Sequence, residues 1–275
     1  MNKLDFPMLF SLKDKNAIVT GGLGILGKRF CAGLAAYGAN VAVVDLDEKL
    51  ASAYARQLTE EYNVKTVGVG CDISSPASVA QMVQEVVSGL GAITILHNNA
   101  ASKSDNLEAF FAPFEDYSLD EWRKIMAVNI DGMFLVAQAV GKHMVKSGRG
   151  GSIIQTASIY GVLAPDNRIY EGSLYLGKQI NTPAVYSASK AAVIGLTRYL
   201  ATYWADKGIR VNSITPGGVE SGQNEEFKRR YSARIPLGRM AKADEMVGTL
   251  LYLASDASSY ITGQNILVDG GLSAW

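Results

Sequence analysis

Short, apolar, β-branched runs alternate along this chain with longer stretches of helical period. The runs at 17–19, 41–44, 66–69, 93–96, 152–154, 209–214 and 266–268 predict seven strands. Between them, stretches near 25–37, 48–62, 76–89, 119–146, 185–207 and 242–254 carry apolar residues at three- and four-residue spacing and predict helices. The runs lack a polar face, as strands covered on both sides do. Strand–helix alternation builds right-handed βαβ units, so the expected class is α/β, a doubly wound parallel sheet with helices on both faces. In such a sheet, ligands bind beyond the carboxyl ends of the strands, where strand order reverses.

Composition narrows the function classes. Of 275 residues, 48% are hydrophobic and 19% charged, enough apolar material for a large core and too much for disorder. Lys+Arg and Asp+Glu both number 26, and no basic stripe stands out, which argues against nucleic acid or an anionic membrane as partner. Cys31 and Cys71 cannot form a disulfide framework. His97 and His143 lack metal-ligand spacing, so no metal is expected. Met1 to Lys15 carries Asp5 and Pro7 and does not read as a signal peptide, and no unbroken apolar run approaches ~18 residues. The expectation is a soluble cytoplasmic protein. With no repeat or linker, residues 1–275 read as a single unit.

The first run leads straight into Thr20-Gly21-Gly22-Leu23-Gly24-Ile25-Leu26-Gly27, and a helix follows. Glycines there allow a tight turn and close approach of backbone to a pyrophosphate, which the helix N-terminus attracts. A glycine cluster alone is as often a mere turn; its place between the first strand and first helix favours a nucleotide. The second run ends at Asp45, where a carboxylate can accept ribose hydroxyls and repel a 2′-phosphate, so NAD is favoured over NADP. Tyr186 and Lys190 stand four apart at the start of a helix and share a face. A phenol near pKa 10 is a poor base, but a nearby ammonium or an oxidised nicotinamide favours its phenolate, which can then take an alcohol proton.

These motifs, with Cys71-Asp72-Ile73, Asn98-Asn99-Ala100-Ala101, Tyr186-Ser187-Ala188-Ser189-Lys190, Pro216-Gly217-Gly218 and Val268-Asp269-Gly270-Gly271, resemble the short-chain dehydrogenase/reductase superfamily. The likeness runs from about Phe10 to Gly271 in family order. It implies a Rossmann-like sheet of about seven strands, one dinucleotide-binding and catalytic domain, and a homo-tetramer. It also implies a site. Asn129, Ser158, Tyr186 and Lys190 would be catalytic, with Ser158 polarising the reacting oxygen and Asn129 in a water-linked relay to the lysine. Gly21, Gly24, Ile25, Leu26, Gly27, Asp45, Leu46, Asp72, Ile73, Asn99, Ala100, Pro216, Gly217 and Val219, together with Tyr186 and Lys190, would hold NAD. Two departures stand out: TGxxGxxG replaces TGxxxGxG, with Ile25 at the usual middle glycine, and Ala101 ends the NNAG-like motif. They bear on the pose of the pyrophosphate.

Family members commonly have about a dozen residues between the serine and the tyrosine; here Ser158 and Tyr186 are 28 apart. A substrate-side insert is therefore expected near 159–185, and the resemblance implies a second near 218–235. The first carries Asp166, Asn167, Arg168, Tyr170, Tyr175, Lys178, Gln179 and Asn181. Long loops at a site are often functional, so it reads as a polar lid, with a structural flap as the alternative. Ser158, Tyr160, Arg168, Tyr186 and Gly218 are the candidate substrate contacts, and Arg168 would suit a carboxylate. A polar wall suits a small polyhydroxylated substrate, as in carbohydrate metabolism, and the insert also resembles members that modify bacterial sugars and nonulosonic acids. The expected activity is hydride transfer between NAD and an alcohol or carbonyl of a sugar or polyol. A 3-oxoacyl-carrier-protein reductase, a nucleotide-sugar epimerase or dehydratase, and a cofactor-sensing scaffold stay open.

Overall fold

The computed structural model describes residues 6–104, 106–175 and 177–275. Its strands are β1 (Asn16–Thr20), β2 (Asn40–Asp45), β3 (Thr66–Gly70), β4 (Ile95–Asn98), β5 (Gly151–Thr156), β6 (Leu174–Tyr175), β7 (Lys178–Gln179), β8 (Ile209–Pro216) and β9 (Asn265–Val268). Seven of them form one parallel sheet in the order β3-β2-β1-β4-β5-β8-β9, while β6 and β7 pair as a small antiparallel hairpin. Strand order therefore reverses between β1 and β4, and the crevice beyond their carboxyl ends is where a nucleotide belongs.

Helices α1 (Ile25–Ala36), α2 (Glu48–Tyr62), α3 (Pro76–Leu90), α4 (Leu107–Phe110), α5 (Leu119–Met126), α6 (Met133–Ser147), α7 (Ala184–Tyr203), α8 (Glu225–Ser232) and α9 (Val247–Ala254) complete the order. Successive strand residues point to opposite faces, so a strand without polar positions feeds two cores at once. Val41 and Val43 of β2 pack with Phe30 and Leu34 of α1, Leu58 of α2 and Leu250 of α9. Ala42 and Val44, one step out of phase, pack with Met82 of α3, Val136 and Val140 of α6 and Leu200 of α7. Each of the seven apolar runs overlaps a sheet strand, with β4 standing two residues later than the run at 93–96.

The stretch predicted as one helix over 119–146 is continuous, but α5 and α6 are joined by a π-helical turn, Ala127–Gly132. Hydrophobic spacing cannot signal that extra residue. The whole segment Leu119–Ser147 is long and apolar enough to cross a bilayer, yet Met133, Val136, Val140 and Met144 are fully buried in this fold. Packing against the sheet accounts for these four, while Leu119, Phe134 and Val145 of the same segment are exposed. The hairpin and α8 were not predicted. Two-residue strands have no period to read, and α8 (EEFKRRYS) is mostly charged, with only Phe227 and Tyr231 buried.

Candidate active site

The loops after β1, β2, β3 and β4 enclose a cleft of about 630 Å³. Gly21, Gly24, Ile25, Leu26, Gly27, Asp45, Leu46, Asp72, Ile73, Asn99 and Ala100 all line it, as their positions in the sequence imply. Gly21 holds φ +63°, and a Cβ on Gly27 would stand 1.9 Å from the Gly21 carbonyl oxygen, so neither position admits a side chain without strain. Asp47, Ser75 and Ser118 cap α2, α3 and α5 through their side chains, whereas Gly24 leaves the start of α1 without such a cap. Unclaimed amide donors at the N-terminus of a 12-residue helix, facing a cleft, fit a pyrophosphate. Ile25 opens α1 and is half exposed at the cleft edge, so it leaves this cradle open.

Asp45 is fixed for its task. Its Oδ2 accepts from the Leu23 amide at 2.9 Å and its Oδ1 from the Leu46 amide at 2.8 Å. Each oxygen keeps a lone pair for a ribose hydroxyl. No lysine or arginine is among the described residues lining the cleft. Leu23, Val44, Cys71, Ala101, Ser102 and Val128 also line it and escaped the sequence reading. Leu23, Cys71 and Ala101 stand inside the motifs, and Val44, Ser102 and Val128 are marked only by adjacency to motif or site residues.

Beside the cleft, β5 and α7 bring the reactive set together. Ser158 follows β5; its hydroxyl accepts from the Tyr160 amide at 3.3 Å and lies near enough to the Tyr186 phenol to favour its ionised form. Lys190 is 2% exposed, donates from Nζ to the Thr156 carbonyl at 3.0 Å, and lies 6.0 Å from the centre of the Tyr186 ring. Burial lowers the lysine pKa to about 8, which still leaves roughly 90% of it charged at pH 7. The tyrosine differs from expectation. Burial pushes its pKa up, outweighing the opposing influence of the Ser158 hydroxyl, and Tyr170 pushes it further the same way. The ammonium that should favour the phenolate is turned towards Thr156 instead. Without bound cofactor, Tyr186 is therefore a neutral phenol at pH 7, ready to donate a proton.

Thr156 organises this end of the sheet, which its motif neighbours alone do not reveal. Its Oγ1 donates to Asn99 Oδ1 at 3.1 Å and so must accept from His97 Nε2 at 2.9 Å. His97 then carries its proton on Nε2; full burial keeps the ring neutral, its pKa lowered to about 3. Asn129, in the π-helical turn, accepts the Ser102 amide at 2.8 Å and donates to Ser189 Oγ at 3.4 Å. Its carboxamide thus ties the cleft loop to α7 and does not reach Lys190 directly. π-Helical turns often mark such functional joints.

On the substrate side, the loop after β8 passes under α8. A Cβ on Gly218 would stand 2.3 Å from the Tyr231 ring, and one on Gly217 would stand 2.8 Å from Asp269 Cα. Val219 pairs with Ala241 and packs into the core beneath α1; it, Pro216 and Gly217 do not line the cleft itself. The insert is clasped onto α8: Arg230 donates to the Arg168 carbonyl and to Glu171, and Asn224 donates to the Leu174 carbonyl.

One expected substrate contact is corrected here. The Arg168 side chain is 82% exposed, and its guanidinium is spent on Asp166, with Nε to Oδ1 at 2.9 Å and Nη2 to Oδ2 at 2.8 Å. A carboxylate two residues away satisfies the fork that a substrate carboxylate would need. Tyr160 and Tyr170 turn inwards instead. The side chains of Tyr175 and Lys178, expected among the insert's donors, lie outside the described residues. Among the described residues no cluster of three or more His, Cys, Asp or Glu could hold a metal.

Known proteins are similar to this chain in sequence and fold. A family model described as enoyl-(acyl-carrier-protein) reductase matches residues 24–273. Sorbose reductase of Schizosaccharomyces pombe is 35% identical over 271 residues, which cover 96% of this chain and 97% of that protein. D-Threitol dehydrogenase of Mycolicibacterium smegmatis is 36% identical over 267 residues, covering 95% of this chain and 94% of that protein. The crystal structure of a gluconate 5-dehydrogenase from Burkholderia cenocepacia, in complex with NADP and tartrate, has a TM-score of 0.86 at 33% identity, covering 98% of each chain.

Proposed function

Because this chain belongs to the short-chain dehydrogenase/reductase superfamily, oxidoreductases that act on CH–OH groups with a nicotinamide cofactor, we propose that it interconverts the alcohol and carbonyl forms of a polyol or ketose, using NAD. The observation that carries this reading is the Ser158–Tyr186–Lys190 set, standing beside a nucleotide-sized cleft in a chain similar over nearly its full length to a sorbose reductase and a threitol dehydrogenase.

The chain's own residues divide the work. Gly21, Gly27 and the start of α1 would hold the pyrophosphate, and Asp45 would hold the adenosine ribose. The bound nicotinamide supplies the hydride acceptor or donor. Ser158 hydrogen-bonds the reacting oxygen as charge develops on it. Tyr186 gives that oxygen a proton in reduction and takes one in oxidation. Lys190 keeps a positive charge behind the tyrosine at neutral pH, and Asn129 holds the cleft loop against α7. A panel of tetritols, pentitols, hexitols, ketoses and an acetoacetyl thioester, followed at 340 nm with NAD or NADH, tests the assignment. Turnover of polyols or ketoses is expected. Turnover of the thioester alone would replace this reading with an acyl-carrier-protein reductase.

A pH profile follows from the raised phenol. Only the phenolate can accept the carbinol proton, and its fraction grows about tenfold per pH unit below the pKa. The oxidation kcat/KM should therefore rise between pH 7 and 9, whereas reduction, which needs the neutral phenol, should not. An oxidation rate that falls over that range would contradict the assignment of Tyr186.

Assembly belongs to the same proposal. Phe134 of α6 and Tyr199 and Tyr203 of α7 are exposed, and the two tyrosine rings stack at 5.7 Å. Aromatic surface of this kind suits an interface between copies. We expect a homo-tetramer by multi-angle light scattering at micromolar concentration; a particle of about 29 kDa, the chain mass, would refute it.

A further inference from the structure

The insert brings to the reacting centre a phenol for which the mechanism above has no use. Tyr170 is 6% exposed; its ring stacks on Phe227 at 5.6 Å, and Phe227 stacks on Tyr231 at 5.5 Å. Its hydroxyl meets two others, donating to the Tyr160 hydroxyl at 3.3 Å and sharing a hydrogen bond with Thr182 Oγ1. Tyr160 stands two residues after Ser158 and Thr182 four before Tyr186, so the cluster is anchored at both ends beside the reactive pair. Tyr170 is near enough to Tyr186 to act on its ionisation. Ile159, Ile169, Ile235, Met240 and Leu272 surround these rings, so the hydroxyls are polar points in an apolar wall.

Three hydroxyls carry three protons, and the two bonds among them use two. One donor and several lone pairs remain for a ligand. We propose that Tyr170 is a specificity-determining residue, which with Tyr160 and Thr182 binds a hydroxyl of the substrate beyond the reacting carbinol. The inference rests on the polyol reading and names the group that enforces it. A site built on hydrogen bonds discriminates strongly against analogues that lack the partner group, because its own polar atoms are then left unpaired.

The test compares kcat/KM for threitol and erythritol with kcat/KM for butan-2-ol, which has the same carbon count and a single hydroxyl. Wild type should prefer at least one tetritol. Tyr170→Phe keeps the ring on Phe227 and removes only the hydroxyl; it should lower the tetritol-to-butanol ratio about tenfold or more. Thr182→Val, which leaves the phenol unheld, should lower the same ratio. NADH fluorescence titration verifies that both variants are folded. A ratio within about twofold of wild type in both variants overturns the role of Tyr170 and leaves the polyol reading intact. A wild-type enzyme that does not prefer any tetritol to butan-2-ol overturns the polyol reading itself, and this inference with it.

Discussion

Tyr186→Phe should lower kcat at least ~100-fold in both directions while leaving NADH affinity within about threefold of wild type. The substitution keeps the ring, which lies 6.0 Å from Lys190 Nζ, and deletes the one oxygen placed beside Ser158 to exchange a proton with substrate. Loss of a positioned general acid or base costs roughly 10²–10⁴-fold. Since the phenol is not part of the pyrophosphate cradle, the loss should fall on turnover. Stopped-flow and steady-state rates with NADH titration check both halves. Near-normal turnover in the phenylalanine variant would remove Tyr186 from the mechanism.

Asp45→Ala should reverse or nearly abolish a strong preference for NAD. In the wild type, the two backbone bonds from Leu23 and Leu46 hold the carboxylate at the cleft edge, where it attracts ribose hydroxyls and repels a 2′-phosphate. Each hydrogen bond to a charged group contributes about 1.5–3 kcal/mol, so kcat/KM for NAD should fall at least ~10-fold. NADP should gain from relief of the repulsion, although no cation lines the described cleft to hold its phosphate firmly. Kinetics with both cofactors decide the matter, and an NADP preference in the unmutated enzyme would overturn the assignment.

Much of this fold and site is legible in the sequence. Strands buried on both faces leave unbroken β-branched runs such as Val41-Ala42-Val43-Val44, so the sheet could be counted. Gly21 and Gly27 announce themselves because the turn between β1 and α1 leaves no room for a side chain, at Gly21 against Ala100 and at Gly27 against the Gly21 carbonyl. The Tyr186–Lys190 spacing placed both on one helix face, but not the direction of the ammonium, which the Thr156 carbonyl decides. Side-chain direction in the insert was equally hidden. Arg168 and Tyr170 are two residues apart in the same 3₁₀ turn; Asp166 draws one outwards, and the Phe227 ring draws the other in. The π-helical turn around Asn129 has no hydrophobic signature at all, since one inserted residue leaves the apolar spacing on either side unchanged.

The central claim, hydride transfer between a substrate carbinol and NAD, is tested most directly by isotope. The polyol turned over fastest, deuterated at its carbinol carbons, is incubated with NAD and the wild-type enzyme, and the reduced cofactor is weighed by mass spectrometry. A reduced cofactor heavier by one mass unit, with no deuterium lost to water, is the predicted result. Reduced cofactor without the label, or consumption of the polyol with no reduced cofactor, would contradict the account.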